Sequence, residues 1–299
     1  MSPTTRPLSA AVLFVWTLLL LAPAAAPAQS SAPGDPIVRL TGEAVHLPSK
    51  GIRDRDDAIR STRVQTGIEY SQGVMPGAFL ATGLYVAETR NRFDAQPERW
   101  GNVREVDLGA RWIQYVDESW GYQVIGGVRS AAERGVSIRR GTTYMGGGVL
   151  QHRFGPDLTL GAGAFFMSRL DRSNRILPIA YLDWTPNEHW RVTTANGVIV
   201  RYDVNADERH RIEVSALWDS HQFRTRPGNP ESPGRTAVEE KGWTLSLAYR
   251  FLSEAGWSVQ PFVSLAHRRD FEIRRGGTRL DRFRTGPTPG FGVSAVYRF

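Results

Sequence analysis

The sequence predicts an all-β protein, a transmembrane antiparallel up-and-down β-barrel of 12–14 strands, with fourteen favoured. Three observations support this fold class. Apolar residues recur at every second position in one segment after another, which is the period of a strand with one apolar face. The connections between these segments alternate between long and short, as they do in transmembrane barrels. Tryptophans stand at the segment ends, where an amphipathic ring would meet a membrane interface.

The N-terminus is interpreted as a cleaved secretory signal peptide covering residues 1–28. Arg6 precedes an apolar run at 8–21, and Ala26-Pro-Ala28 satisfies the small-x-small rule for cleavage. The chain has no cysteine, so we expect neither disulfides nor thiolate chemistry nor attachment of lipid to cysteine. The protein is therefore predicted to be exported without covalent cross-links.

The mature chain divides into a polar N-terminal segment, 29–60, and a barrel domain, 61–299. Within the first segment, weak alternation near 37–47 marks a candidate first strand. No helical period occurs after the signal peptide. The expected strands of the barrel domain are 61–70, 78–90, 106–112, 122–128, 144–150, 158–166, 176–184, 190–202, 212–218, 243–251, 257–265 and 291–299.

The strand count depends on residues 190–202. If this segment crosses the membrane twice, with a tight outer turn at Ala195-Asn-Gly197, the candidate first strand makes the total fourteen. If it crosses once, the count from Ser61 is twelve and the alternation of loop lengths breaks. Pro261 removes a ladder donor, so a local bulge or kink is expected there.

Loop lengths and tryptophans both divide into two sets. Trp218 and Trp243 bracket a long connection, and the other strand-end tryptophans flank short turns: Trp120, Trp184, Trp190 and Trp257. The expected long connections are 91–103, 131–140, 169–175, 223–240 and 269–285, and the tight turns are 117–119, 154–157, 185–189 and 252–256. Girdles at the two surfaces of a membrane would produce this placement.

The last strand carries Phe291, Val293, Ala295, Tyr297 and Phe299 on one face. An alternating strand with a C-terminal phenylalanine resembles the closing strand of bacterial outer-membrane β-barrels, although Ser294 stands where those proteins usually have glycine. The resemblance implies that Tyr297 and Phe299 form an assembly signal read by the barrel assembly machinery. It also implies location in the outer membrane of a Gram-negative bacterium.

A narrower resemblance covers Ile176 to Trp190, which contains Leu-Pro, then Trp-Thr-Pro-Asn, then Trp. This segment is similar to an uncharacterised family of Gram-negative outer-membrane barrels. The resemblance implies the fold and the compartment, and no activity.

Charged residues, nearly all of the cations being arginine, occupy the face opposite the apolar stripe. The predicted lumen-lining residues are Arg111, Arg129, Arg153, Arg211, Arg250, Glu105, Asp107 and Glu213. A polar interior predicts a porin-like channel for small polar or anionic solutes, since arginine can contact permeating anions. Paired charges could equally fill a narrow barrel, which leaves open a non-conducting structural or surface-binding protein.

The connection at 268–284 is strongly basic. Its candidate anion-binding residues are Arg268, Arg269, Arg274, Arg275 and Arg279. Outer-membrane lipid and lipopolysaccharide are the expected partners, because bidentate arginine contacts suit phosphate. No nucleic-acid partner is expected, because the protein is exported and these residues lie on a loop. The oligomeric state is left unknown.

A hydrolase is the other alternative, centred on Asp219 and His221. Strand geometry places Ser220 on the face opposite these two residues, so serine and histidine cannot meet locally. Asp270 or Glu272 from the neighbouring connection could complete such a site at the outer rim. We predict no enzyme activity, no cofactor and no metal, since no phosphate loop, zinc spacing or calcium loop occurs.

Overall fold

The computed structural model describes residues 35–95, 99–194, 196–205, 209–226 and 236–299. The predicted signal peptide and Ala195 of the predicted outer turn lie outside these residues. The strands are β1 Ile37–Gly51, β2 Ala58–Met75, β3 Ala78–Phe93, β4 Asn102–Tyr115, β5 Trp120–Glu133, β6 Thr142–Phe154, β7 Leu158–Met167, β8 Arg175–Trp184, β9 Trp190–Thr194, β10 Gly197–Asp203, β11 His210–Arg224, β12 Thr236–Leu252, β13 Trp257–Arg275, β14 Thr278–Arg284 and β15 Thr288–Arg298.

Fourteen of these strands form a closed antiparallel wall, which confirms the favoured count. Each strand from β1 to β13 pairs with the next, β13 pairs with β15, and β15 pairs with β1 from Arg39↔Arg298 to His46↔Phe291. The candidate first strand is therefore present as β1. Residues 190–202 cross twice, as β9 and β10. The remaining strand, β14, pairs only with the outer part of β13.

The outward face of the wall is apolar, as the alternation predicts. Leu108, Val124, Leu150, Val214 and Val263 are all exposed on it. The charged residues in the opposite phase face the inside of the barrel, where they are buried or half-buried. No helix in the described ranges is long and apolar enough to cross a membrane.

The wall is much taller on one side than on the other. β2, β3, β12 and β13 have 18, 16, 17 and 19 residues, whereas β8, β9 and β10 have 10, 5 and 7. Above the short strands, Arg224 at the end of β11 pairs in parallel with Ala132 of β5. Ile52, just after β1, bridges to Thr285, just after β14. The outer ends of β1–β5 and β11–β14 thus form a smaller closed ring without β6 to β10.

An apolar cluster, called here the outer cap, fills this smaller ring. Its members, all at most 5% exposed, are Ile52, Ile59, Phe93, Trp100, Val103, Ala131, Phe223, Val238, Phe271, Ile273 and Phe283. The Trp100 ring lies at its centre, with ring centroids 4.7 Å from Phe93 and 5.9 Å from Phe223, Phe271 and Phe283. The outer end of the lumen is therefore sealed by packed rings.

A β-bulge on β13 supplies part of this cap. The ladder of β12 with β13 shifts between Lys241 and Trp243, and Arg268 adopts a left-handed backbone with φ 56°. The extra residue reverses the phase of the strand, because side chains alternate with a period of two. Phe271 and Ile273 consequently point into the barrel, whereas the odd-numbered residues below the bulge, such as Val263, face outward.

Two details of the sequence-based prediction are wrong. The basic segment 269–285 is not an irregular loop: β13 continues to Arg275 and turns through Gly276 and Gly277, at φ 54° and 87°, into β14. Pro261 causes no bulge, because the pairs on either side of it, Ala248↔Phe262 and Phe251↔Val259, keep one register. The ladder to β12 is only interrupted there, since proline lacks the donor.

Candidate functional site

A central charge cluster lies in the lumen beneath the outer cap. Arg63 of β2 donates to Glu105 of β4 at 2.9 Å, and Arg129 of β5 donates to Asp107 of β4 at 2.7 Å. His221 of β11 lies with Nδ1 3.1 Å from Glu105 Oε2, although β11 is not a neighbour of β4 in the wall. Glu105 therefore links β4 to β11 across β5, close to the point where β11 joins β5.

Arg269 extends this cluster towards β12. Its Nε donates to Glu240 at 2.6 Å, and its Nη2 donates to Ser61 of β2 at 2.8 Å. The sequence assigned Arg269 to an outer loop, but the bulge at Arg268 turns it inward, where it is 4% exposed. Glu43 and Asp219 also lie near Arg63 and Arg129, so the cluster holds more acidic than basic groups.

The half of the lumen nearer the C-terminus, called here the periplasmic half after the orientation that the sequence predicts, has a different organisation. Three of its ion pairs join adjacent strands. Arg191–Asp183, Arg201–Glu213 and Arg211–Asp203 have N–O distances of 2.7, 2.9 and 2.6 Å. Such pairs line the wall, whereas the central charge cluster spans it.

The balance of charge also differs between the two regions. The central charge cluster has three arginines against five carboxylates: Arg63, Arg129 and Arg269 against Glu43, Glu105, Asp107, Asp219 and Glu240. The periplasmic half has eight arginines against four carboxylates: Arg39, Arg111, Arg153, Arg191, Arg201, Arg211, Arg250 and Arg298 against Glu69, Asp183, Asp203 and Glu213. A solute that crosses the lumen would therefore meet a basic region and an acidic region.

The eight residues predicted to line the lumen all lie in the inward phase of their strands. Glu105, Asp107 and Arg129 belong to the central charge cluster, and Arg111, Arg153, Arg211, Arg250 and Glu213 to the periplasmic half. The Arg153 guanidinium lies 4.8 Å from the centre of the Tyr115 ring. Sequence reasoning missed Glu240 and Trp100. Glu240 lies beyond an irregular part of the ladder, and Trp100 belongs to a connection without periodicity.

The outer hairpin β13–β14 distributes its arginines between ion pairs and solvent. Arg274 donates to Glu272 at 2.8 Å and to the Gly277 carbonyl at 2.6 Å. The exposed arginines of the predicted set are Arg268, Arg275 and Arg279.

The Asp219-Ser-His221 grouping adopts the strand geometry that the sequence predicts. Asp219 and His221 point into the lumen, while Ser220 points to the other face and donates to Glu239 at 3.4 Å. His221 meets Glu105, and neither Asp270 nor Glu272, because those two carboxylates lie in the opposite phase of β13. Within the described residues no group of three or more histidines, aspartates or glutamates could hold a metal ion.

The C-terminal aromatics form a cluster at the periplasmic rim. The Tyr297 ring lies 4.5 Å from the Trp257 ring and 4.6 Å from the Phe299 ring, and the Phe299 N–H donates to the Val38 carbonyl at 3.0 Å. The last residue thus closes the seam between β15 and β1. Its role as an assembly signal stays a prediction.

Comparison with known proteins identifies the fold. No protein-family model and no curated protein matches the sequence, so the resemblance of residues 176–190 to one narrower family stays a prediction. An outer membrane channel from Pseudomonas putida F1 superimposes with a TM-score of 0.50 and 9% identity, covering 92% of this chain and 98% of that one.

Two other solved structures are less similar. The toluene transporter TodX of P. putida gives a TM-score of 0.42 at 10% identity over 90% of this chain and 91% of that one. The translocator domain of the autotransporter NalP from Neisseria meningitidis gives 0.37 at 11% identity over 94% and 93%. The closed fourteen-strand wall and the superposition on the P. putida F1 channel together show that the chain has the fold of a bacterial outer-membrane β-barrel.

Proposed function

We propose that the chain is a gated channel for small polar solutes in the outer membrane of a Gram-negative bacterium. The supporting observation is a lumen lined by charges of both signs beneath an apolar seal. A buried ion pair adds little net stability compared with well-packed apolar residues of similar volume. So many inward charges therefore suit a path for water and solute better than a filled structural core.

The outer cap is the proposed gate. Its residues come from strand ends above the wall and from Trp100 in the connection between β3 and β4. The cap can therefore loosen while the fourteen-strand ladder below it stays intact. The central charge cluster lies directly beneath and would rearrange when solute passes.

The charge distribution suggests the class of solute. Eight arginines against four carboxylates in the periplasmic half raise the local concentration of anions. The excess of carboxylates in the central charge cluster opposes their passage. Weak anion selectivity is expected, with neutral and zwitterionic solutes passing best.

Planar-bilayer recording of the refolded protein tests this proposal. The wild type should show rare openings, and Trp100→Ala should open much more often because the central ring of the cap is gone. Trp218→Ala, on the lipid face, is the matched control and should behave like the wild type. If neither the wild type nor Trp100→Ala conducts above background, while both run as folded barrels on unheated gels, the channel function is wrong.

The exposed arginines Arg268, Arg275 and Arg279 are proposed contacts for lipopolysaccharide phosphates. Changing all three to glutamate should weaken binding of lipopolysaccharide to the folded barrel. Unchanged binding would remove this part of the proposal without affecting the channel.

A further inference from the structure

The wall has a gap on its short side. Among the described residues, the pairs between β8 and β9 are Asp183↔Thr193 and Trp184↔Val192. Within the described residues, the hydrogen bonding of β10 to β11 extends to Asn196, whose carbonyl accepts from the Trp218 N–H at 2.8 Å. Above the β9–β10 hairpin, β8 and β11 therefore face each other without a strand between them. We call this gap the side opening; at its base it spans three strand spacings, about 14 Å.

The edge of β8 at the side opening is adapted to remain unpaired. The Leu182 N–H donates to Thr194 Oγ1 at 2.8 Å, and Thr194 Oγ1 donates to the Ala180 carbonyl at 3.2 Å. Pro178 lies two residues before Ala180 on the same edge of the strand. Because proline has no N–H, no backbone donor is left unsatisfied there. Open sheet edges are not tolerated in hydrocarbon unless their polar groups find partners. The Thr194 side chain and Pro178 together reduce the number of unpaired backbone groups on this edge.

The side opening lies at the depth of the lipid. Outward-facing positions of β8 stay apolar from Ile176 to Trp184, roughly 26 Å along the strand and, at the usual tilt of about 40°, about 20 Å in height. The apolar band of such barrels is about 25 Å tall. Acyl chains of the outer leaflet are therefore the groups that adjoin the opening.

Behind the opening lies an apolar part of the inner wall surface, called here the side recess and formed by Met145, Phe165, Leu177 and Ile179. All four are in the inward phase of β6, β7 or β8. Leu177 is nevertheless 40% exposed, whereas inward Ile125 on β5 and Leu217 on β11 are 2% and 5% exposed. The inner face of β6, β7 and β8 is thus uncovered near its outer end, because the outer part of β11 turns away from these strands and pairs with β5.

Arginine and a docked loop bound the recess at its outer end. The loop after β7 reaches across the gap: Arg169 donates to Glu239 of β12 at 2.5 Å, and the Leu170 N–H donates to Gln222 of β11 at 2.8 Å. Arg175, at the top of β8, is exposed and makes no ion pair within the described ranges. A cation therefore stands where the headgroup of a lipid in the recess would lie.

We propose that the side recess binds an acyl chain of an anionic outer-leaflet lipid, which enters through the side opening and whose phosphate contacts Arg175. The chain has no cysteine, so single cysteines can be labelled without a background. Leu177→Cys carries a fluorophore into the recess. Thr159→Cys, inward-facing on the same wall but near the periplasmic end, is the negative control, and outward-facing Leu160→Cys is the positive control.

The labelled proteins are reconstituted in vesicles of phosphatidylglycerol or phosphatidylcholine with brominated acyl chains. Quenching at position 177 should approach that at 160 and exceed that at 159. Phosphatidylglycerol should be preferred about fivefold, the scale expected for one arginine beside an anionic lipid, and Arg175→Gln should abolish the preference.

Three outcomes would overturn the proposal. Quenching at 177 no stronger than at 159 would exclude an acyl chain from the recess. Equal quenching by the two lipids in the wild type would remove the role of Arg175. A disulfide between two unlabelled Leu177→Cys chains, with 177 shielded from bromine, would assign the opening to a second copy of the protein. None of these readouts depends on conductance, so this test can fail while the proposed channel function stands.

Discussion

The tall and short sides of the wall share one alternating pattern but end differently. On the tall side, β2 and β13 rise far above the apolar band, and their outer ends belong to the ring that buries Phe271 and Trp100. On the short side, β9 has five residues, and the inward-facing Leu177 stays exposed. The height of the strands thus decides where the lumen is sealed and where it is open to the side.

Deleting Arg268 should have the largest effect on the tall side. The bulge supplies the extra residue that turns Arg269, Phe271 and Ile273 inward, and its loss would turn all three outward. Each large apolar side chain removed from a core costs about 2–5 kcal/mol, so the outer cap should not form. Protease digestion of the folded barrel should cut the β13–β14 hairpin in the deletion variant only. Arg268→Gly keeps the residue count and should leave the hairpin protected; cleavage there too would show that the bulge is not the cause.

The second prediction compares a tryptophan-to-alanine substitution inside the outer cap with the same substitution on the outward face of the wall. Trp100→Ala should lower the free energy of unfolding by about 3–5 kcal/mol, because it empties the centre of a packed cluster. Trp218→Ala, at an exposed position, should cost much less. Urea unfolding in detergent, followed by the remaining tryptophan fluorescence, measures both. Equal losses would mean that the outer cap is not a packed core.

The third prediction compares charges that span the lumen with charges that line it. Glu105→Gln removes the carboxylate shared by Arg63, Arg129 and His221, and breaking a buried pair costs about 3–5 kcal/mol. Asp183→Asn breaks a more exposed pair with Arg191, where about 0–1 kcal/mol is expected. Urea unfolding in detergent measures the loss of unfolding free energy in both variants. A larger loss for Asp183→Asn would contradict the central position of Glu105.

The smallest expected effect is on the loop after β7, residues 168–174, which bounds the side recess at its outer end. Burial tends to raise the pKa of Glu239, but Lys241 and Arg169 outweigh it, so the pKa lies below its usual value. The docked loop is therefore stabilised above the pKa of a free glutamate, about 4.3, and loses this stabilisation as the pH falls through the lower folded value. A spin label at Ser173→Cys should become more mobile at acidic pH. With Glu239→Gln added, mobility should be high at every pH; a pH response that persists would assign the loop's docking to other groups.

Local patterns predicted the wall because each strand needs only its own alternation to be recognised. The double crossing at 190–202 was predicted from the phase of the loop lengths, since a single crossing would exchange long and short connections. The outer hairpin was missed because Gly276 and Gly277 form a turn inside a segment rich in arginine, where charge hid the strand pattern. Arg269 was assigned to solvent because a bulge at the preceding residue cannot be read from residue type.

The sequence by itself determined the strand phase, the polar interior and the fourteen crossings, because these depend on residues two positions apart and on the spacing of turns. Only the tertiary structure decided that β11 joins β5, that Trp100 seals the outer end and that the wall is open beside Pro178. Those features bring together residues far apart in the chain. They depend on the relative heights of strands around a closed ring, a quantity that no single segment contains.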